Sequence, residues 1–189
     1  FTITEKTKIY LVSDGSAKGE FAGTRLAELL KEQQGLNLKV IQKKSDAGFS
    51  LFLGDSDIEK ILSLDPVKGK SEGYVLTVNK NGAYVKANTA QGLFHAAMTL
   101  RQLISGGKIQ GCDIIDYPRY ELRGFMVDAG RAPARLAHIK RIIRIASCFK
   151  LNFLLYRESD NELNAVKYET NPLGSKNPEA LTMTEVKEM

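Results

Sequence analysis

Cysteine and histidine are scarce in this 189-residue sequence, with two of each. Cys112 and Cys148 stand far apart, which excludes a disulfide framework and any Cys-rich metal site. His95 and His138 fall on predicted helix surfaces away from other ligand-type side chains, so neither a metal nor another cofactor is expected. No apolar run is long enough to span a bilayer, and no signal peptide opens the chain. The net charge of +5 is small and spread along the sequence, whereas a nucleic-acid surface needs clustered charge. Nucleic acid is therefore not an expected partner. What is present is ordinary for a globular protein: 43% hydrophobic and 26% charged residues, ample for a core.

Residues 8–14 read as a strand ending in a Ser/Asp/Gly turn. A helix is expected over about 20–34, with Ala22, Leu26, Leu29 and Gln33 in line and Gly35 as its C-cap. Leu38–Ile41 and Phe49–Leu53 are short apolar strands. Gly54-Asp-Ser-Asp57 reads as a turn and N-cap, opening a short helix that stops before Pro66. Tyr74–Val78 and Ala83–Ala87 flank Asn81-Gly82, a pair suited to a type I′ hairpin turn. A helix at about 91–105 would bury Leu93, Ala96, Leu100 and Leu103 and stop at Gly106-Gly107. Together these predict an α+β domain, a sheet with packed helices, over residues 1–117.

Residues 118–189 begin differently, and the run from Asp116 to Arg131 is the most informative in the chain. Pro118 bars a helix at Tyr117. Phe125-Met-Val127 is an apolar run too short for a helix, so 123–128 is a predicted buried strand. Arg123 sits at the mouth of that strand, Asp128 and Arg131 at its far end. Charged side chains closing a buried parallel strand are how an α/β barrel presents groups to a ligand. An Arg–Asp pair that only ties strand to loop has the same spacing.

A helix from about Ala134 to Phe149 would turn Leu136, Ile139, Ile143 and Ala146 inward, with Cys148 on its apolar side. Arg135, Lys140, Arg141 and Arg144 then form a solvated face. Leu151–Tyr156 follows as a second strand, parallel to the first. Thr182 and Glu185 form a capping box at the start of a further helix. A barrel needs eight strand–helix units, and fewer than two and a half are legible here. The expected fold is thus an α+β N-terminal domain followed by the first βα units of a truncated (β/α)8 barrel, in residues 118–189.

Tyr117-Pro-Arg-Tyr120, then Arg123-Gly-Phe-Met-Val-Asp128, then Arg131 resembles the start of the catalytic barrel in glycoside hydrolase family 20, the β-N-acetylhexosaminidases. Upstream, Glu72-Gly-Tyr74 and the run Thr89-Ala-Gln-Gly-Leu-Phe-His-Ala-Ala-Met-Thr-Leu-Arg-Gln-Leu103 follow in the order that family uses. Lys150-Leu-Asn152 is similar to the lead into the second barrel strand. The resemblance implies a hydrolase that removes terminal N-acetylhexosamine, with the substrate's own acetamido carbonyl as nucleophile. It also implies a carbohydrate partner, and an exported protein, periplasmic or secreted, whose leader has been removed.

By the same resemblance, Arg123 falls on the arginine that hydrogen-bonds sugar hydroxyls, and Asp160 on an aspartate that supports a histidine beside the general acid. The Asp–Glu catalytic pair of the family matches no position here, so this stretch by itself is expected to be inactive, and its incomplete barrel to self-associate. The family's His-x-His reads Leu155 and Arg157, the histidine after Arg131 is Ala132, and the second aspartate is Asn161. Those departures leave open a non-catalytic carbohydrate-binding or scaffold relative, or a glycosidase of a related family.

Overall fold

A computed structural model describes residues 1–13, 17–44, 49–54, 63, 65–132, 134–160, 163–170 and 177–189. The chain divides into two compact units, Phe1–Arg119 and Tyr120–Met189. The short helix expected between Asp57 and Pro66 lies outside the described residues.

Unit 1 contains β1 (Lys8–Ser13), α1 (Ala17–Gln34), β2 (Lys39–Lys44), β3 (Phe49–Gly54), β4 (Tyr74–Asn79), β5 (Gly82–Ala87), α2 (Ala90–Leu103) and β6 (Cys112–Asp116). Its sheet has the order β2-β1-β3-β5-β4-β6. β1 and β2 pair in parallel, which requires a crossover, and α1 supplies it. The other neighbours are antiparallel. Register places Leu11, Leu51, Val85 and Leu76 in one row across four strands, none more than 3% exposed. Ala22, Leu26 and Leu30 of α1 and Leu93, Ala96, Met98 and Leu100 of α2 complete that core. Each such leucine contributes about 1.5–3 kcal/mol of burial.

α2 begins where two sequence motifs meet. The Thr89 hydroxyl accepts from Gly92 N at 3.2 Å and donates to the Ser71 carbonyl at 2.6 Å. Gly92 has to be glycine, because a Cβ there would lie 2.7 Å from the Gly73 carbonyl oxygen. One turn on, His95 is buried, with Nδ1 3.3 Å from Glu72 Oε2. It is thus not on the helix surface, as its isolation in sequence suggested; its face of α2 is the one laid against the 70–73 turn. Tyr74 ties β4 to its neighbours, its hydroxyl 2.6 Å from Thr99 Oγ1 and donating to Asp116 Oδ2 at 2.7 Å. Burial holds that phenol well above the ordinary tyrosine range.

Three further expectations for unit 1 are corrected. Asn79 pairs with Gly82, so the hairpin turn is Lys80-Asn81, one residue earlier than Asn81-Gly82. Neither turn residue has positive φ, which a type I′ turn demands; instead the Asn79 side chain accepts from Asn81 N at 2.8 Å. The buried line of α1 runs through Leu30, while Gln33 is exposed and accepts from Arg101 Nη1 at 2.7 Å. The edge strand β6 went unread, because Cys-Asp-Ile-Ile-Asp is short and has only two adjacent strong apolar residues between aspartates.

Unit 2 contains β7 (Gly124–Asp128), α3 (Leu136–Cys148), β8 (Phe153–Arg157), β9 (Val166–Lys167), β10 (Leu181–Thr182) and α4 (Met183–Lys187). β7 and β8 pair in parallel, from Gly124↔Phe153 to Asp128↔Arg157, with α3 between them in sequence. Ile139, Ala146 and Cys148 of α3 are buried and His138 is exposed. One face of the strand pair remains open, with Met126 54%, Phe153 45% and Leu155 49% exposed. The capping box of α4 is formed: Glu185 N donates to Thr182 Oγ1 at 3.2 Å and Thr182 N to Glu185 Oε2 at 2.8 Å. Those bonds hold the Glu185 carboxyl below its ordinary value.

The starts of β7 and β8 are joined by side chains serving main-chain groups. Arg123 donates from Nε to the Lys150 carbonyl at 2.9 Å and from Nη1 to the Tyr120 carbonyl at 2.7 Å and that of Glu121 at 3.3 Å. Asn152 accepts from Arg123 N at 2.9 Å and donates to the Glu121 carbonyl at 2.8 Å. Lys150 has φ 61°, the left-handed conformation that ends α3, a position usually given to glycine.

Two stability changes follow. Lys150→Gly should raise the unfolding free energy of unit 2 by about 0.5–1 kcal/mol, by relieving a left-handed Cβ. Arg123→Met should lower it by about 1–2 kcal/mol, chiefly through loss of the charge-assisted bond to the partly buried Lys150 carbonyl. Denaturant titration followed by hydrogen exchange of the β7 and β8 amides would measure both.

Candidate functional site

The far ends of β7 and β8 are built the opposite way: main chain closes in, and side chains converge. Beyond Asp128 the chain turns over the end of β8, with Ala129 N and Gly130 N both donating to the Arg157 carbonyl, at 3.0 and 3.2 Å. A Cβ on Gly130 would lie 2.6 Å from the Ser159 carbonyl carbon and 2.7 Å from Asp160 N. Only glycine permits that approach, and it delivers Arg131 to Asp160. On the other side, Asp160 N donates to the Leu163 carbonyl at 3.1 Å and Ala165 N to that of Glu158 at 2.6 Å. The segment after β8 is thereby folded back on itself.

Four charged side chains meet there. Arg131 Nε donates to Asp160 Oδ2 at 2.7 Å and lies 4.0 Å from Asp128 Oδ2. Arg157 donates from Nη1 to Asp128 Oδ2 at 3.0 Å, and its Nη2 is 3.2 Å from Asp160 Oδ2. The carboxylates are inside and the cations outside: Asp160 is 14% and Asp128 26% exposed, against 42% for Arg157 and 65% for Arg131. Two positive and two negative charges balance. Asp128 Oδ1 and the Tyr156 hydroxyl are buried without a hydrogen-bond partner among the described residues. Burial, then the charge of Glu158, raises the Tyr156 phenol. Glu158 itself accepts from the Tyr168 hydroxyl at 2.5 Å, a bond that raises the Tyr168 phenol.

The residues expected to touch substrate are therefore at opposite ends of the strand pair. Asp160 lies at the strand ends, inside the charge cluster. Arg123 lies at the strand starts, its guanidinium directed to the carbonyls of Tyr120, Glu121 and Lys150. Parallel barrels bind ligands at the C-terminal ends of their strands, and the arginines found at that end are Arg131 and Arg157, of which Arg131 is the more exposed. The sequence sets Arg131 with Asp128 at the far, ligand-presenting end of its strand but does not mark it as the sugar contact. It shows Arg157 only as a departure from the family's His-x-His, and the signal that could have singled it out is its place at the end of the second strand. An exposed guanidinium held by a shielded carboxylate suits vicinal hydroxyls, which need several donors and acceptors in a fixed plane. Among the described residues no cluster of metal-ligating side chains occurs, and no helix is long and apolar enough to cross a membrane. Cys112 and Cys148 are not joined in a disulfide.

The chain is similar to several known proteins. The beta-hexosaminidase A of Caenorhabditis briggsae is 37% identical over 103 residues, which is 51% of this chain and 19% of that protein. The beta-N-acetylhexosaminidase of Cellulomonas fimi is 29% identical over 167 residues, 86% of this chain and 32% of that protein. The solved structure of Streptomyces plicatus N-acetyl-beta-hexosaminidase in complex with Thio-NAglucal is similar over 100% of this chain and 39% of its own, with TM-score 0.76 and 26% identity. The Flavobacterium johnsoniae chitobiase shares the fold, with TM-score 0.74 at 19% identity, over 100% of this chain and 30% of its own. The chain thus spans a minor part of the length of each of these relatives. The family model described as glycosyl hydrolase family 20, domain 2, matches residues 1–117, and the chain belongs to glycosyl hydrolase family 20.

Proposed function

We propose that the protein to which these residues belong is a β-N-acetylhexosaminidase, removing terminal N-acetylhexosamine from glycans by substrate-assisted hydrolysis. The observation that carries this reading is the Arg131–Asp160 pair at the C-terminal ends of two parallel strands, in a chain of this family. In the same reading β7, α3 and β8 are the first units of a (β/α)8 barrel, and the open face carrying Met126, Phe153 and Leu155 is part of its interior. Barrel interiors are packed with such side chains. Without that packing the 189-residue chain should self-associate through the same face.

Arg131, rather than Arg123, is the sugar contact in this reading. Its guanidinium is exposed, oriented by Asp160, and placed where a ligand would enter. The proton for the leaving oxygen has no donor in the cluster, whose carboxylates are engaged by two arginines. The acid lies elsewhere in the protein, and the part played here is recognition of the terminal sugar. Leu155 and Arg157, where the resemblance places histidines, favour a second reading: a relative that binds the sugar without cleaving it.

Assay of the full-length protein on a chromogenic N-acetyl-β-D-glucosaminide separates the two. The enzyme reading expects turnover by the full protein and none by the 189-residue chain; binding of N-acetylglucosamine by calorimetry without turnover supports the second. In the active protein, Arg131→Lys should cost about 1–3 kcal/mol in kcat/KM, the range for hydrogen bonds to a charged group. Arg123→Lys should act through stability and leave KM unchanged at a temperature where the variant is folded. A rise of KM for Arg123→Lys alone would return the sugar contact to Arg123.

A further inference from the structure

We propose that Arg157 is a positioning residue, which holds Asp128 and Asp160 together across the ends of β7 and β8 and thereby commits Arg131 to a single orientation. The proposal deepens the reading of Arg131 as sugar contact and rests on it for its functional meaning. Its geometry stands separately. One guanidinium reaches two carboxylates from two segments, Asp128 Oδ2 at 3.0 Å and Asp160 Oδ2 at 3.2 Å. Arg131 Nε shares the second of those oxygens, at 2.7 Å, and is 4.0 Å from the first.

Consider the cluster with Arg157 removed. Two carboxylates would then face one cation, and Arg131 lies within ion-pair range of both. Swinging its donor from Asp160 towards Asp128 would cost little, since one partner is exchanged for an equivalent one. With Arg157 present, Asp128 already has its cation, and Asp160 is pinned from two sides. Arg131 has one favourable place left. The fork is what makes this work: two Nη groups point to two acceptors at once, and the charge persists at every ordinary pH. A lysine could reach either carboxylate as a point charge but would not fix both. A histidine would donate from both ring nitrogens only when protonated, and in diverging directions. Glu158, the other carboxylate near the end of β8 among the described residues, is engaged by the Tyr168 hydroxyl and does not compete for Arg157.

Arginine side-chain resonances of the ¹⁵N-labelled 189-residue chain give the test. The Arg131 Nε–H signal is assigned by its loss in Arg131→Lys. The Arg123 Nε–H, donated to the Lys150 carbonyl at the other end of the strands, is the internal reference. In the wild-type chain both should be protected from solvent exchange. Arg157→Met should reduce the protection of Arg131 about tenfold or more while Arg123 is unchanged. Arg157→Lys should recover part of it, because charge without the fork pins Asp160 incompletely. A merely structural Arg157 would move both signals together, and an uninvolved one neither; both results overturn the proposal, as does an unprotected Arg131 Nε–H in the wild type. If Arg157→Met does not fold, Arg157→Lys decides on the same criterion, selective loss at Arg131 against parallel loss at both.

In the full-length enzyme, Arg157→Lys should raise KM about tenfold and leave kcat within about threefold, as expected for loss of uniform binding. A change confined to kcat overturns the positioning role. Absence of turnover in the wild type counts against the hydrolase reading, and the resonance test still decides what Arg157 does.

Discussion

Residues 120–189 depend on one constraint, the parallel pairing of β7 and β8. A parallel pair cannot be closed by a tight turn, so a helix must cross between the strands. Both strand starts then gather at one end and both strand ends at the other, and the two ends meet different chemistry. At the starts, the carbonyls of Tyr120, Glu121 and Lys150 come together where no ladder partner is available, and the Arg123 guanidinium serves all three. The bond to the Lys150 carbonyl is partly buried and those to Tyr120 and Glu121 are exposed, and together they commit this arginine to joining the strand starts. At the ends, Gly130 and the Ser159–Asp160 backbone close the gap between strands, and side-chain carboxylates take the place of carbonyls as acceptors. The same residue type therefore serves structure at one end and a polar site at the other.

The two units differ in how completely they close. Unit 1 has a full core: a four-strand row of Leu11, Leu51, Val85 and Leu76 under two helices that touch each other as well as the sheet. In unit 2 no residue of β7 or β8 reaches full burial, and its buried apolar groups, such as Ile139, Ala146, Val166 and Leu181, lie on the helix and in the segments after β8. Local stability follows buried apolar contact, so unit 2 is the less stable of the two, with the consequences of losing Arg123 concentrated there. An enclosed barrel is the arrangement that would bury Met126, Phe153 and Leu155, and this is why the open face and the proposed fold belong to one argument.

How much of this was legible in the sequence depends on the range of the interaction concerned. Helices α1, α2 and α3, the β4–β5 hairpin and the α4 capping box are set by periodicity and by contacts a few residues apart, and they were readable. The hairpin turn was misplaced by one residue because Asn81-Gly82 has the composition of a type I′ turn, while the Asn79 side chain stabilises another solution that composition does not reveal. His95 looked solvent-exposed because its partner, Glu72, is brought to it by a tertiary approach through Gly92 and Gly73. The arginines show the limit most clearly. Arg123 and Arg131 flank the same strand, and the sequence placed Arg131 at its far end; what it could not reveal is that the carbonyls of Tyr120, Glu121 and Lys150 come together around Arg123 in the fold.

Charge counting carries the last step. An open site containing Asp128 and Asp160 side by side is unstable as it stands, since two carboxylates drawn together repel, and burial of either makes that worse. The fold offers one cation from the loop, Arg131, and a second is needed if that one is to be left oriented for a ligand. The position opposite Asp128 in the strand register is the place from which a side chain reaches both carboxylates, and it is occupied by Arg157. Where the family resemblance leads one to expect a histidine, this chain has a cation that never loses its charge. The substitution reads as a loss when only the motif is considered. In the structure it supplies the charge that the two aspartates require, and it leaves Arg131, the most exposed member of the four, as the one turned outward.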